Sequence, residues 1–138
     1  MIWERLLILV FAVGVAALAW AMLRMWQQIQ LQRLAAVEPP SPLADVVADG
    51  PALLYFTTQD CAQCRFQQTP ILKRLEANAP IRVVTLDAIQ RDDLTRHFGI
   101  LTVPSTVLLD GRRRPVAINH GVAPLHKLHE QVAGLLAA

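Results

Sequence analysis

The chain has 138 residues and a net charge of +2, enough for one domain with a modest core and too little positive charge to hold nucleic acid. Its hydrophobic content of 54% is high for a small soluble protein and is unevenly spread.

Residues 6–23 carry no charged and no strongly polar side chain. As a helix at about 1.5 Å per residue the run covers roughly 27 Å, close to the hydrocarbon thickness of a bilayer. Trp3 lies at one end and Trp20 and Trp26 near the other, where amphipathic rings favour the interface, and Arg5 and Arg24 bracket the run. An uncleaved anchor contacting lipid through residues 6–26 is the first reading. A removed signal segment competes with it, although the small-x-small patterns Ala17-Leu18-Ala19 and Ala19-Trp20-Ala21 lie inside the apolar run. A buried helix of the soluble domain is the third. Basic residues flank the run on both sides, so charge does not orient it.

Good helix formers follow in residues 27–37 and extend the helix as a polar stalk, until Glu38-Pro39-Pro40-Ser41-Pro42 stops it. The expected division is a transmembrane anchor at 1–27, a helical stalk and proline-rich linker at 28–43, and a folded domain at 44–138. Within that domain, residues 43–48 open with a short helix ended by Asp49-Gly50-Pro51. Ala52-Leu53-Leu54-Tyr55-Phe56-Thr57 reads as a buried strand. Next come Cys61-Ala62-Gln63-Cys64, the only cysteines, at a spacing that can close a small disulfide ring or share a metal. Residues 64–77 read as a helix with Phe66, Ile71, Leu72 and Leu75 on its apolar face and a kink or a broken turn at Pro70.

Residues 81–86 form a β-branched second strand, and 92–98 a short helix stopped by Gly99. Residues 103–109 form a third strand that begins with Val103-Pro104. Asp110-Gly111 signals a hairpin into a fourth strand at 115–119, with Arg112-Arg113-Arg114 as its solvated tip. Pro124 opens a last helix whose stripe is Leu125, Leu128, Val132, Leu135 and Leu136. The chain is therefore α/β, of order (α)βαβαββα. The first two strands are parallel, the last two antiparallel, and helices cover the sheet.

A Cys-x-x-Cys between the first strong strand and its helix, with Phe98-Gly99-Ile100-Leu101-Thr102-Val103-Pro104-Ser105-Thr106 about 40 residues later, resembles the thioredoxin family over nearly the whole folded domain. The resemblance implies a three-layer α/β/α domain with a four-stranded mixed sheet; together with the apolar run read as an N-terminal transmembrane helix, the expectation is a single-pass protein of the cell membrane. The resemblance also implies a cis peptide bond at Pro104. Asp60 stands where the family usually has tryptophan, Ala62-Gln63 replace its Gly-Pro, and Tyr55 occupies the place of a buried aspartate. Pro70 falls six residues after Cys64, where the family typically has five.

What the resemblance implies for function is thiol–disulfide exchange with protein substrates and a redox partner. A thiolate does the attacking, and a helix N-terminus favours negative sulfur, so Cys61 is the expected nucleophile and Cys64 the resolving thiol. Asp60, Ala62 and Gln63 form the active-site loop. Pro104 leaves the Val103 backbone free to bind extended substrate. No cofactor or metal is expected. The alternative is a non-catalytic binding module, or a carrier holding Cu(I) between the two thiolates. Anchored redox proteins of this kind commonly face the oxidising side of a bacterial membrane, which places the domain outside the cytoplasm.

Overall fold

The structure, a computed structural model, describes residues 1–36 and 41–138. The expected proline spacer at residues 38–40 lies outside the described residues. The chain divides into two compact units, Met1–Arg33 and Leu34–Ala138.

Helix α1, Ile2–Ala36, is exposed along its apolar length and is long and apolar enough to cross a membrane. Its apolar residues circle the whole axis, the pattern of a helix surrounded by hydrocarbon. Near its polar end the Arg24 guanidinium lies 4.2 Å from the centre of the Trp20 ring.

The second unit is built on strand β1, Ala52–Thr57, the sheet's most apolar segment. Its side chains alternate between two buried faces, as a central strand requires. The strand order is β2-β1-β3-β4, where β2 is Arg82–Asp87, β3 Ser105–Leu109 and β4 Pro115–His120. The β1–β2 pair is parallel and the β3–β4 pair antiparallel, as expected from the connections, and β3 also pairs antiparallel with β1. Strand β3 starts at Ser105 rather than residue 103, because Pro104 has no N–H to give the ladder.

One face is covered by α2, Ser41–Ala44, and α4, Asp92–His97, which lie side by side. Leu43, Leu54, Phe56, Leu94, Phe98 and Val107 pack there. The short opening helix lies earlier than the expected 43–48, since Pro42 fits a first helical turn and cannot continue one. Asp92 and Asp93 at the start of α4 and Arg96 and His97 at its end complement the helix dipole. Gly99 closes it with φ of +66°, and the Ile100 N–H reaches back to the Thr95 carbonyl at 2.9 Å.

The opposite face is covered by α3, Thr69–Asn78, and α5, Leu125–Leu136, over Leu53, Tyr55, Cys64, Leu72, Leu75 and Leu128. Pro124 caps α5 from an extended conformation instead of sitting in its first turn. At the β3–β4 turn, Arg112 and Arg114 are exposed as expected, but Arg113 is not a solvated tip residue. It adopts φ of 60° and folds back, its Nε donating to the Val47 carbonyl at 3.1 Å and its guanidinium reaching Asp49 at 3.0 Å.

Candidate active site

Strand β1 runs straight into a turn at residues 58–60, and the chain becomes helical at Ala62. The Cys61 N–H bonds the Thr58 carbonyl at 3.3 Å, and the Arg65 N–H bonds the Cys61 carbonyl at 3.2 Å. This folding brings the cysteine Cα atoms to 5.3 Å, and the two sulfurs form a disulfide. The pair is asymmetric. Cys64 is 2% exposed within the core under α3 and α5, whereas Cys61 is half-buried at its edge. The Cys64 N–H, a free donor of the first helical turn, points at the Cys61 sulfur at 3.1 Å.

Asp60, Ala62 and Gln63 are exposed around the disulfide. The Arg65 guanidinium is turned to the Gln59 carbonyl at 3.1 Å, where it braces the loop. Val103 packs against the same cluster as Cys61, Pro104 is buried behind it, and the Val103–Pro104 peptide bond is cis. Ser105 pairs with Phe56 at the end of β1 from which the cysteine loop departs, so both segments meet at one end of the sheet.

The helix expected at residues 64–77, with a kink or a broken turn at Pro70, is irregular in the turn before that proline. Residues Cys64–Gln68 form a π turn, and the Thr69 N–H bonds the Cys64 carbonyl five residues back. Pro70 has no N–H for the Phe66 carbonyl, which undermines the α ladder at this point. A π turn absorbs one extra residue in a helix, and the spacing of six from Cys64 to Pro70, where five is typical, carries such an addition. The kink or broken turn expected at Pro70 takes the form of this π turn. Phe66, expected on the apolar face, is 72% exposed, while Gln68 is fully buried. Position 68 is four residues from both Cys64 and Leu72, the spacing of one helix face. That spacing was the signal for an inward-facing amide.

Beside the disulfide opens a cleft of about 320 Å³, lined by both cysteines, Tyr55, Thr69, Thr85 and Glu76 among others. Tyr55, in the place of the family's buried aspartate, is 3% exposed and shares a 3.1 Å hydrogen bond with the Thr69 hydroxyl. Among the described residues no group of three or more His, Cys, Asp or Glu side chains stands together.

A parallel–antiparallel four-stranded sheet with helices on both faces, and a Cys-x-x-Cys disulfide where the first strand meets its helix, defines a protein of the thioredoxin kind. Solved structures agree on the fold. A mutant thioredoxin from Halobacterium salinarum NRC-1 superposes with a TM-score of 0.61 at 21% identity, over 72% of this chain and 87% of that one. Thioredoxin 1 from Thermosipho africanus TCF52B gives 0.54 at 17% identity, over 62% and 94%. In sequence, the chain is 30% identical over 92 residues to a thioredoxin from Alicyclobacillus acidocaldarius subsp. acidocaldarius, spanning 66% of this chain and 87% of that protein. Residues 30–133 match the family model described as TraF, F plasmid transfer operon protein, and the chain belongs to that thioredoxin-like family. Its fold and disulfide support thiol–disulfide oxidoreductase activity in general terms.

Proposed function

We propose that the chain is a membrane-tethered thiol–disulfide oxidoreductase acting on proteins, with Cys61 as nucleophile and Cys64 as resolving thiol. The observation that carries this reading is the asymmetry of the pair. The more accessible sulfur, Cys61, accepts the N–H of Cys64 at 3.1 Å, and Cys64 itself is buried. After reduction the same donor, at the start of a helix, favours a thiolate on Cys61 over one on Cys64.

The exchange balances in two displacements. The Cys61 thiolate attacks a substrate disulfide, forming a mixed disulfide and expelling one substrate thiolate. Cys64, having given up its proton, then attacks the Cys61 sulfur, re-forms the internal disulfide and releases the second substrate thiolate. Two electrons pass to the substrate, and a dithiol partner must return them. Reversal of the same steps oxidises a substrate dithiol. The Val103 backbone beside Pro104 pairs with an extended substrate segment, and Asp60, Ala62 and Gln63 border it.

Helix α1 anchors the domain in the cell membrane as a single span. Anchored redox proteins with a Cys-x-x-Cys pair commonly face the oxidising side of a bacterial membrane, which supports an extracytoplasmic position for the domain. Trapping tests the assignment of roles. The whole 138-residue chain with Cys64→Ser, incubated with an oxidised protein substrate, accumulates a covalent adduct cleaved by dithiothreitol, and Cys61→Ser does not. Equal adducts from both variants, or an adduct only through Cys64, contradict the assignment.

A further inference from the structure

The buried amide of Gln68 has no part in the exchange chemistry, yet it is among the most completely enclosed side chains of the domain. Its Oε1 accepts the Ala123 N–H at 2.7 Å, and its Nε2 donates to the Ala123 carbonyl at 3.3 Å. A side-chain amide bonded to both backbone groups of one residue imitates a rung of a β-ladder between segments 55 residues apart. Gln68 is the last residue of the π turn that starts at Cys64, and Ala123 packs in the cluster that includes Cys64.

The segment it grips links β4 to α5. Its other end is held by a second buried network. Asn119 exchanges hydrogen bonds of 2.8 and 2.9 Å with the Gln131 amide and also donates to the Thr106 hydroxyl at 3.1 Å. Between the two holds, His120 is exposed, and Gly121 and Val122 are half-exposed. Gly121 has φ of +83°, a conformation that favours glycine. His120 pairs with Ser105, the residue after Pro104, which places this segment at the sheet end that carries the disulfide.

We infer that Gln68 is a positioning residue: its amide, carried inward on the π turn, fixes residues 121–123 relative to the Cys61–Cys64 disulfide and so sets the face on which a protein substrate docks. The inference rests on the exchange reading above. Cutting the clamp leaves both sulfurs and their N–H donor in place, so it changes docking rather than chemistry.

The test uses the full chain in detergent, with insulin as substrate and dithiothreitol as reductant. Gln68→Met keeps the length and removes the amide. Its KM is expected to rise about tenfold with kcat within about twofold, the size of one buried hydrogen-bonded pair and the signature of lost binding alone. Hydrogen exchange at the Ala123 amide should quicken while the β3 amides stay protected. Gln68→Glu is the second variant and keeps the test decisive if the first does not fold. When protonated its carboxyl can reproduce both bonds, and when ionised it loses the donor facing the Ala123 carbonyl. Its KM relative to the parent should therefore climb with pH. An unchanged KM in a folded Gln68→Met protein, a loss confined to kcat, or a pH-independent KM ratio for Gln68→Glu overturns the inference. Cys61→Ser in the same assay separates the two claims, because activity surviving there removes the exchange reading itself.

Discussion

The two faces of the sheet are built from different materials. The face under α2 and α4 is packed with hydrocarbon: Leu43, Leu54, Phe56, Leu94, Phe98, Val107 and Leu109, with Phe56 and Phe98 edge to face at 6.3 Å. The face under α3 and α5 holds the disulfide and a set of buried polar contacts, Tyr55 to Thr69, Gln68 to Ala123, and Asn119 to Gln131 and Thr106. Hydrocarbon packing is strong but non-directional, whereas a buried hydrogen bond contributes little net energy and a great deal of geometry. Both faces therefore carry an apolar core, and the second, over Leu53, Leu72, Leu75, Leu108 and Leu128, adds the directional contacts that aim its chemistry.

Substitutions should separate the two roles. Leu94→Ala, in a fully buried site of the hydrocarbon face, should cost about 2–5 kcal/mol in urea unfolding and leave the redox potential of the folded protein unchanged. A shifted potential would show that the faces are not independent. Asn119→Ala strands the Gln131 amide and Thr106 hydroxyl, and should cost about 1–3 kcal/mol, less than Leu94→Ala despite breaking more bonds. Arg113→Ala releases the Val47 carbonyl and Asp49 on the outer side of the first face. It should cost about 1 kcal/mol and leave insulin reduction unaltered.

Tyr55 probes the polar face differently. With no carboxylate at that position to take the Cys64 proton, release of the mixed disulfide should be slow, and Tyr55→Asp should raise the rate per folded molecule. No gain counts against that account. The smallest effect is expected at exposed Asp93. The Arg91 hydrogen bond lowers its pKa, so the pair stabilises the fold above the ordinary carboxylate range, and that contribution is lost as pH falls through the lowered value. Asp93→Asn should therefore lower the unfolding midpoint slightly at neutral pH and low salt, and not at all in acid.

The hydrocarbon framework was legible in the sequence because it rests on apolar runs and periodicity. The continuous apolar run in residues 52–57 and the β-branched run before Asp87 each mark a strand, and the stripe from Leu125 to Leu135 marks a helix and its buried side. The site was legible as a motif, in Cys61-Ala62-Gln63-Cys64 and Val103-Pro104, but its wiring was not. Phe66 was expected inside and lies outside, because a π turn shifts the phase of the helix, and hydropathy alone assigns the large apolar residue inward. Gln68 looks like a surface residue until position 68 is placed on the face shared by Cys64 and Leu72. Its partner, an alanine backbone 55 residues away, leaves no side-chain signature to read. Arg113 was hidden for the same reason, as its acceptor is the Val47 carbonyl. Contacts from a side chain to a distant backbone are the class that sequence patterns do not encode.

The central claim is that the Cys61–Cys64 pair turns over disulfides and that Cys61 begins each cycle. Dithiothreitol-dependent reduction of insulin by the full chain measures it most directly, with Cys61→Ser beside the parent. Insulin chains are expected to precipitate with the parent well ahead of the dithiothreitol background, and at a rate indistinguishable from background with Cys61→Ser. A parent at background, or a Cys61→Ser protein as active as the parent, would contradict it.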